Sequence, residues 1–256
     1  MRLPRQIRFS RPPARIAPVR IDEQARRSLH MVLSLLLDYP GEALDDGRVR
    51  TAASSLPEPF GEAVREFLSR VDAMARPELE DHYVRTFDLK RKCSMYLSYY
   101  ATGDTRRRGT ALIAFLDAYR AAGWEFDAAE LPDYLPAVLE FSALSDSPIA
   151  AELIAAHREG IEVLREALDR LGSPYAGLVG ALCRSLPELD EATLERYRTL
   201  IEEGPPAETV GLPFPQLAPY GGGSTAPLGA AAGPAGTAPF GTASFGTAPF
   251  GSETAP

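Results

Sequence analysis

The residue types that usually carry chemistry are scarce in this sequence: two cysteines, three histidines and one tryptophan among 256 residues. Cys93 and Cys183 lie far apart with no companion at metal-ligand spacing. That rules out a disulfide framework or a cysteine zinc site, and both read as free thiols of a reducing compartment. His30, His82 and His157 form no close-spaced pair, which argues against metal ligation. No apolar run approaches the ~20 residues a membrane-spanning helix needs; the best, residues 31–37, is far too short. The arginine-rich start, residues 1–20, is followed by no apolar h-region or small-residue cleavage site, which argues against a secretory signal. A phosphate-binding glycine loop is missing as well, since Gly221 to Gly223 follow no strand pattern. Neither a Gly-x-Ser-x-Gly elbow nor a cysteine beside a plausible base occurs. The expectation is a cytoplasmic protein that is not an enzyme, with no metal, no cofactor and no stable membrane insertion.

What is present is an ample apolar fraction, 45%, enough for a well-filled core. The net charge of -8 is uneven. Residues 1–27 hold eight arginines against Asp22 and Glu23, and residues 205–256 hold only Glu208 and Glu253, so -12 remains on residues 28–204. An acidic body argues against nucleic acid as a partner, because phosphate binding needs a basic face. It suits solubility or a basic peptide.

Composition divides the chain into a basic arm (1–21), a helical body (22–203) and a low-complexity tail (204–256). The arm and tail bury too little apolar surface to offset backbone entropy, so both are expected to be disordered. In the tail, Gly236-Thr-Ala-Pro-Phe240 recurs with period five at 241–245 and 246–250.

The body is punctuated as helix throughout. Asp22 can cap a helix with the stripe Ala25, Leu29, Val32, Leu33 and Leu36, stopped by Pro40-Gly41. A short helix over 42–54 follows, then one bearing Phe60, Val64, Phe67, Leu68 and Val71, and another over 79–87. Residues 88–101 read as a loop or a broken helix. Asp104 or Thr105 can cap a helix carrying Leu112, Phe115, Leu116 and Tyr119, ended by Gly123. Pro132 suits the first turn of a helix carrying Leu135, Val138, Leu139 and Ser142. Ser147-Pro148 opens a long helix from Ile149 to Leu171, ended by Gly172. Ser173-Pro174 starts a helix over 175–183, and Asp190 starts a last one. The fold class expected is an all-α, single-domain bundle of about eight to nine helices.

Two regions stand out, residues 83–109 and 130–141. Tyr96, Leu97, Tyr99 and Tyr100 are nearly consecutive, so no single helix face can bury them all. Tyrosine and arginine favour binding hot spots, yet core tyrosines bonded to carboxylates fit the composition equally well. The basic clusters at 90–92 and 106–108 can pair with Asp88 and Asp104 or recognise an anion on a partner. In the second region two prolines, with Asp133 near a helix N-terminus, fix the entry into a helix.

These strings resemble the NarJ-type family of respiratory nitrate reductase assembly chaperones. The matching residues are Tyr-Val-x-Thr-Phe-Asp-Leu-x-Arg-x-Cys-Ser-x-Tyr-Leu-x-Tyr-Tyr-x-x-Gly-Asp-Thr-Arg-x-Arg-Gly at 83–109 and Leu-Pro-Asp-Tyr-Leu-Pro-x-Val-Leu-Glu-Phe at 131–141. Leu-Leu-Leu-Asp-Tyr-Pro at 35–40 is a weaker third match. The resemblance, over about residues 25–202, implies a cytoplasmic helical chaperone that binds the N-terminal segment of the apo catalytic (alpha) subunit of nitrate reductase. It implies that this client stays competent for molybdenum cofactor insertion, with cofactor-delivery proteins as further partners. Family members often carry His where this chain has Tyr134, which puts an imidazole role there in doubt. A client segment forming an amphipathic helix would lie in a groove walled by Tyr83, Phe87, Tyr96, Tyr100, Leu135 and Phe141. Arg107 and Asp133 would orient it at the rim. The remaining candidate contacts are Asp88, Arg91, Tyr99, Asp104, Arg106, Pro132, Tyr134 and Glu140. The competing readings are a cofactor-handling protein that binds a nucleotide or molybdopterin at 106–108, and a helical scaffold.

Overall fold

The computed structural model describes residues 15–102, 107–127 and 130–187, with the backbone of 244–247. Asp22 caps the first helix as its sequence predicts: its carboxylate accepts from the Ala25 N–H at 2.8 Å, at the start of α1 (Glu23–Leu37). Such a cap is worth about 1 kcal/mol. A 3-10 turn at Glu42–Leu44 leads into α2 (Gly47–Ser55) and α3 (Phe60–Asp72). α4 (Arg76–Tyr83) runs on as a π-turn, Val84–Asp88, in which Leu89 N–H reaches back to the Val84 carbonyl at 3.2 Å. α5 (Leu97–Thr102) and α6 (Arg107–Ala121) follow, and Gly123, at φ +79°, ends the latter. α7 (Leu135–Leu144) precedes α8 (Pro148–Ala156), α9 (Arg158–Arg170) and α10 (Ala176–Ser185).

α7 is the centre of the molecule. Its run Leu-Pro-Ala-Val-Leu-Glu-Phe-Ser-Ala is buried on every side except at Glu140, as befits a helix that is apolar all round. α1 packs along it, and His30 ties the two to α10. Its Nδ1 lies 2.9 Å from Ser142 Oγ and its Nε2 lies 3.1 Å from Ser185 Oγ. Ser185 spends its own proton on the Leu182 carbonyl at 2.8 Å, so it accepts from His30. Ser142 accepts from Arg26 at 3.1 Å and donates to His30. The imidazole is therefore the neutral Nε2–H tautomer. Burial first, then the nearby Arg26, lowers its pKa to about 3.

The all-α class expected from the sequence is what the structure has, with ten α-helices among the described residues. Four details differ. The expected long helix over 149–171 breaks at His157, whose Nδ1 turns back onto the Leu153 carbonyl at 2.8 Å and whose backbone leaves helical geometry at φ -97°, ψ 11°. The helix expected at Pro132 begins instead after Tyr134, with Pro136 in its first turn, and Pro132 lies in the preceding loop. The arm expected over 1–21 is ordered over 15–21, where it lies extended against α9 and α10; residues 1–14 are outside the described residues. A short strand, β1 (Trp124–Asp127), pairs antiparallel with β2 (Ser244–Thr247), Phe126 opposite Phe245. That is the repeat unit in which Ser244 stands where its neighbours have Pro239 and Pro249, so an N–H replaces a missing donor. The rest of the tail, the helix expected at Asp190 and the cap expected at Asp104 or Thr105 fall outside the described residues. No helix among the described residues is long and apolar enough to cross a membrane.

Candidate functional site

The two motif regions are joined to each other. Residues 95–97 lie antiparallel to 133–135: Leu97 N–H donates to the Asp133 carbonyl at 3.0 Å, and Leu135 N–H donates to the Met95 carbonyl at 2.8 Å. Tyr96 and Tyr134 sit opposite each other across this bridge, ring centroids 5.5 Å apart. Asp133, with no exposed surface, completes the junction. Its Oδ2 accepts from Ser98 N–H at 3.1 Å and Ser98 Oγ at 2.5 Å. The aspartate thus caps the N-terminus of α5, although it precedes α7 in the chain. Its Oδ1 is buried and has no partner among the described residues.

A hydrogen-bonded seam leads from this junction to α1 and α4. The Tyr134 hydroxyl donates to Asp38 Oδ1 at 2.9 Å, and the Tyr83 hydroxyl lies 3.2 Å from that of Tyr134. Tyr83 also donates to the Leu37 carbonyl at 3.1 Å. Burial, followed by Tyr83 and Asp38, raises the Tyr134 pKa far above the ordinary phenol range. The ring is a neutral donor at every physiological pH. Glu140, half-buried on α7, has its pKa pushed up to about 7 by burial and then by repulsion from Asp38.

On the other side, the Tyr96 hydroxyl donates to Glu130 Oε1 at 2.9 Å and its ring carries the Arg108 guanidinium at 5.3 Å. Tyr100 donates to the Ser94 carbonyl at 2.7 Å, and its ring is laid on α9 at Gly160. Tyr99 is half-buried, edge-on to Tyr100.

The expected residues therefore sort by depth. Asp88, Arg91 and Arg107 are exposed; Tyr96, Tyr99, Tyr100, Tyr134 and Glu140 are half-buried. Tyr83, Phe87, Pro132, Asp133, Leu135 and Phe141 are buried, so of the residues expected to wall or rim a groove, Tyr83, Phe87, Leu135, Phe141 and Asp133 lie within the core of the free chain. Tyr83 and Phe87 pack with Tyr175, and Phe141 with Tyr119, which is where apolar rings on adjoining helices gain most. Asp104 and Arg106 lie outside the described residues. Sequence reasoning passed over Asp38, Ser98 and Gly160 as site residues. Asp38 stands inside the weaker 35–40 string, which was the available signal; Ser98 and Gly160 gave none.

No group of three His, Cys, Asp or Glu among the described residues could hold a metal. A cavity of about 910 Å³ opens between α1 and α2, floored by Met31, Val32, Leu35 and Ala52, and none of the sixteen expected residues lines it.

Residues 53–180, which include this whole junction, match the family model described as nitrate reductase delta subunit. The nitrate reductase-like protein NarX of Mycobacterium tuberculosis is 36% identical over 155 residues, 59% of this chain and 23% of that protein. The chain thus spans about a quarter of NarX. The probable nitrate reductase molybdenum cofactor assembly chaperone NarJ of Bacillus subtilis is 32% identical over 172 residues, covering 64% of this chain and 91% of its own length. The nitrate reductase molybdenum cofactor assembly chaperone NarJ of Escherichia coli is 29% identical over 159 residues, 60% and 67% of the two chains. On the family match and the near-complete coverage of the Bacillus relative, this chain belongs to the nitrate reductase delta subunit family.

Proposed function

We propose that this protein is an assembly chaperone for a respiratory nitrate reductase. It binds the N-terminal segment of the apo catalytic subunit and keeps it competent for molybdenum cofactor insertion. The observation that carries the reading is the junction of Tyr96 with Tyr134, where both motif strings meet in half-buried tyrosines and the Arg108 guanidinium lies over the Tyr96 ring. Tyrosine gives large contact area with little rotamer entropy to lose, and arginine adds directional donors, so such a patch suits reversible peptide capture. The names of the Bacillus and Escherichia relatives agree with that role. Because Tyr83, Phe87, Leu135 and Phe141 are core, the client meets the tyrosine hydroxyl edges and the arginine rim, not a deep apolar groove.

The test is calorimetry of the full chain with a peptide copying about 20 residues of the client's N-terminus. Saturable binding is expected, weakened about tenfold or more by Tyr99→Ala and by Arg107→Glu at unchanged melting temperature. Ala52→Arg, in the α1–α2 cavity, should leave it intact. A folded sample that binds no peptide overturns the function; loss confined to Ala52→Arg overturns the assignment of the surface.

A further inference from the structure

The ordered part of the N-terminal arm is held through its backbone. Ile16 gives both of its peptide groups to α9: its N–H donates to Glu162 Oε1 at 3.1 Å, and its carbonyl accepts from Arg158 Nη2 at 2.5 Å. Three residues on, Val19 N–H donates to the Arg184 carbonyl in the last turn of α10 at 2.8 Å. Arg15 meets Glu159 at 3.3 Å on the surface. Ile16, Val19 and Ile21 are half-buried against the core; the residues between them are exposed.

Beneath the arm lies a stripe of charge. Arg158, Glu162 and Arg165 are 7%, 1% and 9% exposed, at helical spacing along one face of α9. Glu162 also takes Arg165 at 3.0 Å and Arg158 at 3.6 Å. Buried ion pairs are poor stabilisers compared with apolar packing, so a permanent strap would be better served by leucines. Arg158 keeps a bond to the Leu186 carbonyl at 3.1 Å and Glu162 keeps Arg165, so departure of the arm frees only the groups that Ile16 engages and leaves each charge with a partner. Where Ile16 lies, a cavity of about 420 Å³ adjoins the groove, its wall mixing Glu62 and Glu66 of α3 and Asp169 with Arg165 and Arg184, and Ala63 among its small lining residues.

We infer that the α9–α10 face is a second peptide-binding site of this protein, occupied in the structure by the protein's own residues 15–19. The ligand it fits is an extended, arginine-flanked apolar segment of another polypeptide, read through the N–H and the C=O of one residue. This is strand addition in which a glutamate and an arginine stand in for the neighbouring strand. The site is separate from the tyrosine junction: Gly160, which faces Tyr100, lies two residues from both Arg158 and Glu162 and so on the other side of α9. It stands or falls independently of the client reading.

The test uses the full chain carrying Ile16→Pro, which removes the N–H that Glu162 accepts. A fluorescent peptide copying residues 12–22 should bind this variant saturably, and the wild-type chain about tenfold more weakly. The same peptide N-methylated at Ile16 should lose about tenfold or more of its affinity. A variant with native helicity that binds neither peptide, or binds both equally, overturns the inference. Hydrogen exchange on the wild-type chain gives a second readout. Ile16 and Val19 amides should exchange through local opening, far faster than Leu164 in the core of α9; exchange only by global unfolding overturns it.

Discussion

Gly160 of α9 approaches Tyr100 so closely that a Cβ at that position would sit 2.8 Å from both Cβ and Cγ of the ring. Tyr100 in turn donates to the Ser94 carbonyl, so the ring is held from both ends. Two effects compete in Gly160→Ala. Alanine in a helix gains about 0.5–1 kcal/mol in backbone entropy over glycine. The clash falls on the root of an anchored ring and not on a flexible tip, and such overpacking costs about 1–3 kcal/mol. The clash wins. A net loss of about 1–2 kcal/mol is expected in urea denaturation; an unchanged or raised midpoint would show that Tyr100 moves aside freely.

This pair also shows where sequence reading stops. Helix ends were legible because each rests on local chemistry: the Asp22 and Ser147 caps accept from Ala25 and Ile149, and Gly123 and Gly172 adopt positive φ where α6 and α9 end. That the four near-consecutive residues Tyr96, Leu97, Tyr99 and Tyr100 could not share one face was also legible. Leu97 goes to the core, Tyr96 to the bridge with Tyr134, and Tyr100 to Gly160. Illegible was everything set by a distant partner. Asp133 reads as the start of its own helix but caps α5, and Tyr83 and Phe87 read as groove walls but meet Tyr175. The break at His157 was hidden because a side chain bonding back to Leu153 leaves no mark on the apolar period.

His30 sets an acid limit on stability. Its folded pKa is about 3, below the ordinary value of 6.5, so the unfolded chain binds a proton that the folded chain refuses. Stability from this group is complete above the ordinary value and is lost as pH falls toward 3. At about pH 5 the loss amounts to about 2 kcal/mol. Denaturation curves for the protein and for His30→Gln should converge as pH falls from 7.5 to 5. A parallel pair of curves would place the acid sensitivity elsewhere.

Glu140 acts in the opposite direction. Its folded pKa, about 7, lies above the ordinary value of 4.5, so its contribution is complete below 4.5 and is lost as pH rises through 7. The two windows overlap between pH 4.5 and 6.5, and the opposing slopes of His30 and Glu140 cancel midway, at about pH 5.5. Glu140→Gln should remove the decline above about pH 5.5 and steepen the His30 limb between pH 6.5 and 4.5, while leaving the limb below pH 4.5 unchanged. A decline of equal slope in the variant would show that burial and Asp38 do not hold Glu140 protonated in the fold.

The phenol of Tyr134 is tested by Tyr134→Phe, which keeps the ring against Tyr96 and removes the hydroxyl that donates to Asp38 and meets that of Tyr83. Asp38 is half-buried and carries charge, so its lost bond is worth about 1.5–3 kcal/mol, less whatever water restores. The variant should unfold about 1–2 kcal/mol earlier in urea. Asp38→Asn should give a smaller loss, because the amide oxygen still accepts. Equal losses would mean that the charge, and not the hydrogen bond, holds the seam.

Asp133 is the point at which α5 is fastened to the loop before α7, and its removal separates two roles for the junction. Asp133→Ala leaves Ser98 N–H and Oγ buried without an acceptor, at a cost of about 2–4 kcal/mol. Asp133→Asn keeps one acceptor oxygen and places the amide nitrogen where Oδ1 already lacks a partner among the described residues, so about half of that cost is expected. The aspartate has no exposed surface, so it can reach a client only through the bridge it supports. Client affinity in the two variants should therefore fall in the same order as their stability. A variant that keeps its melting midpoint but loses the client would instead make the carboxylate a direct contact, reached through an opening of the Tyr96–Tyr134 bridge.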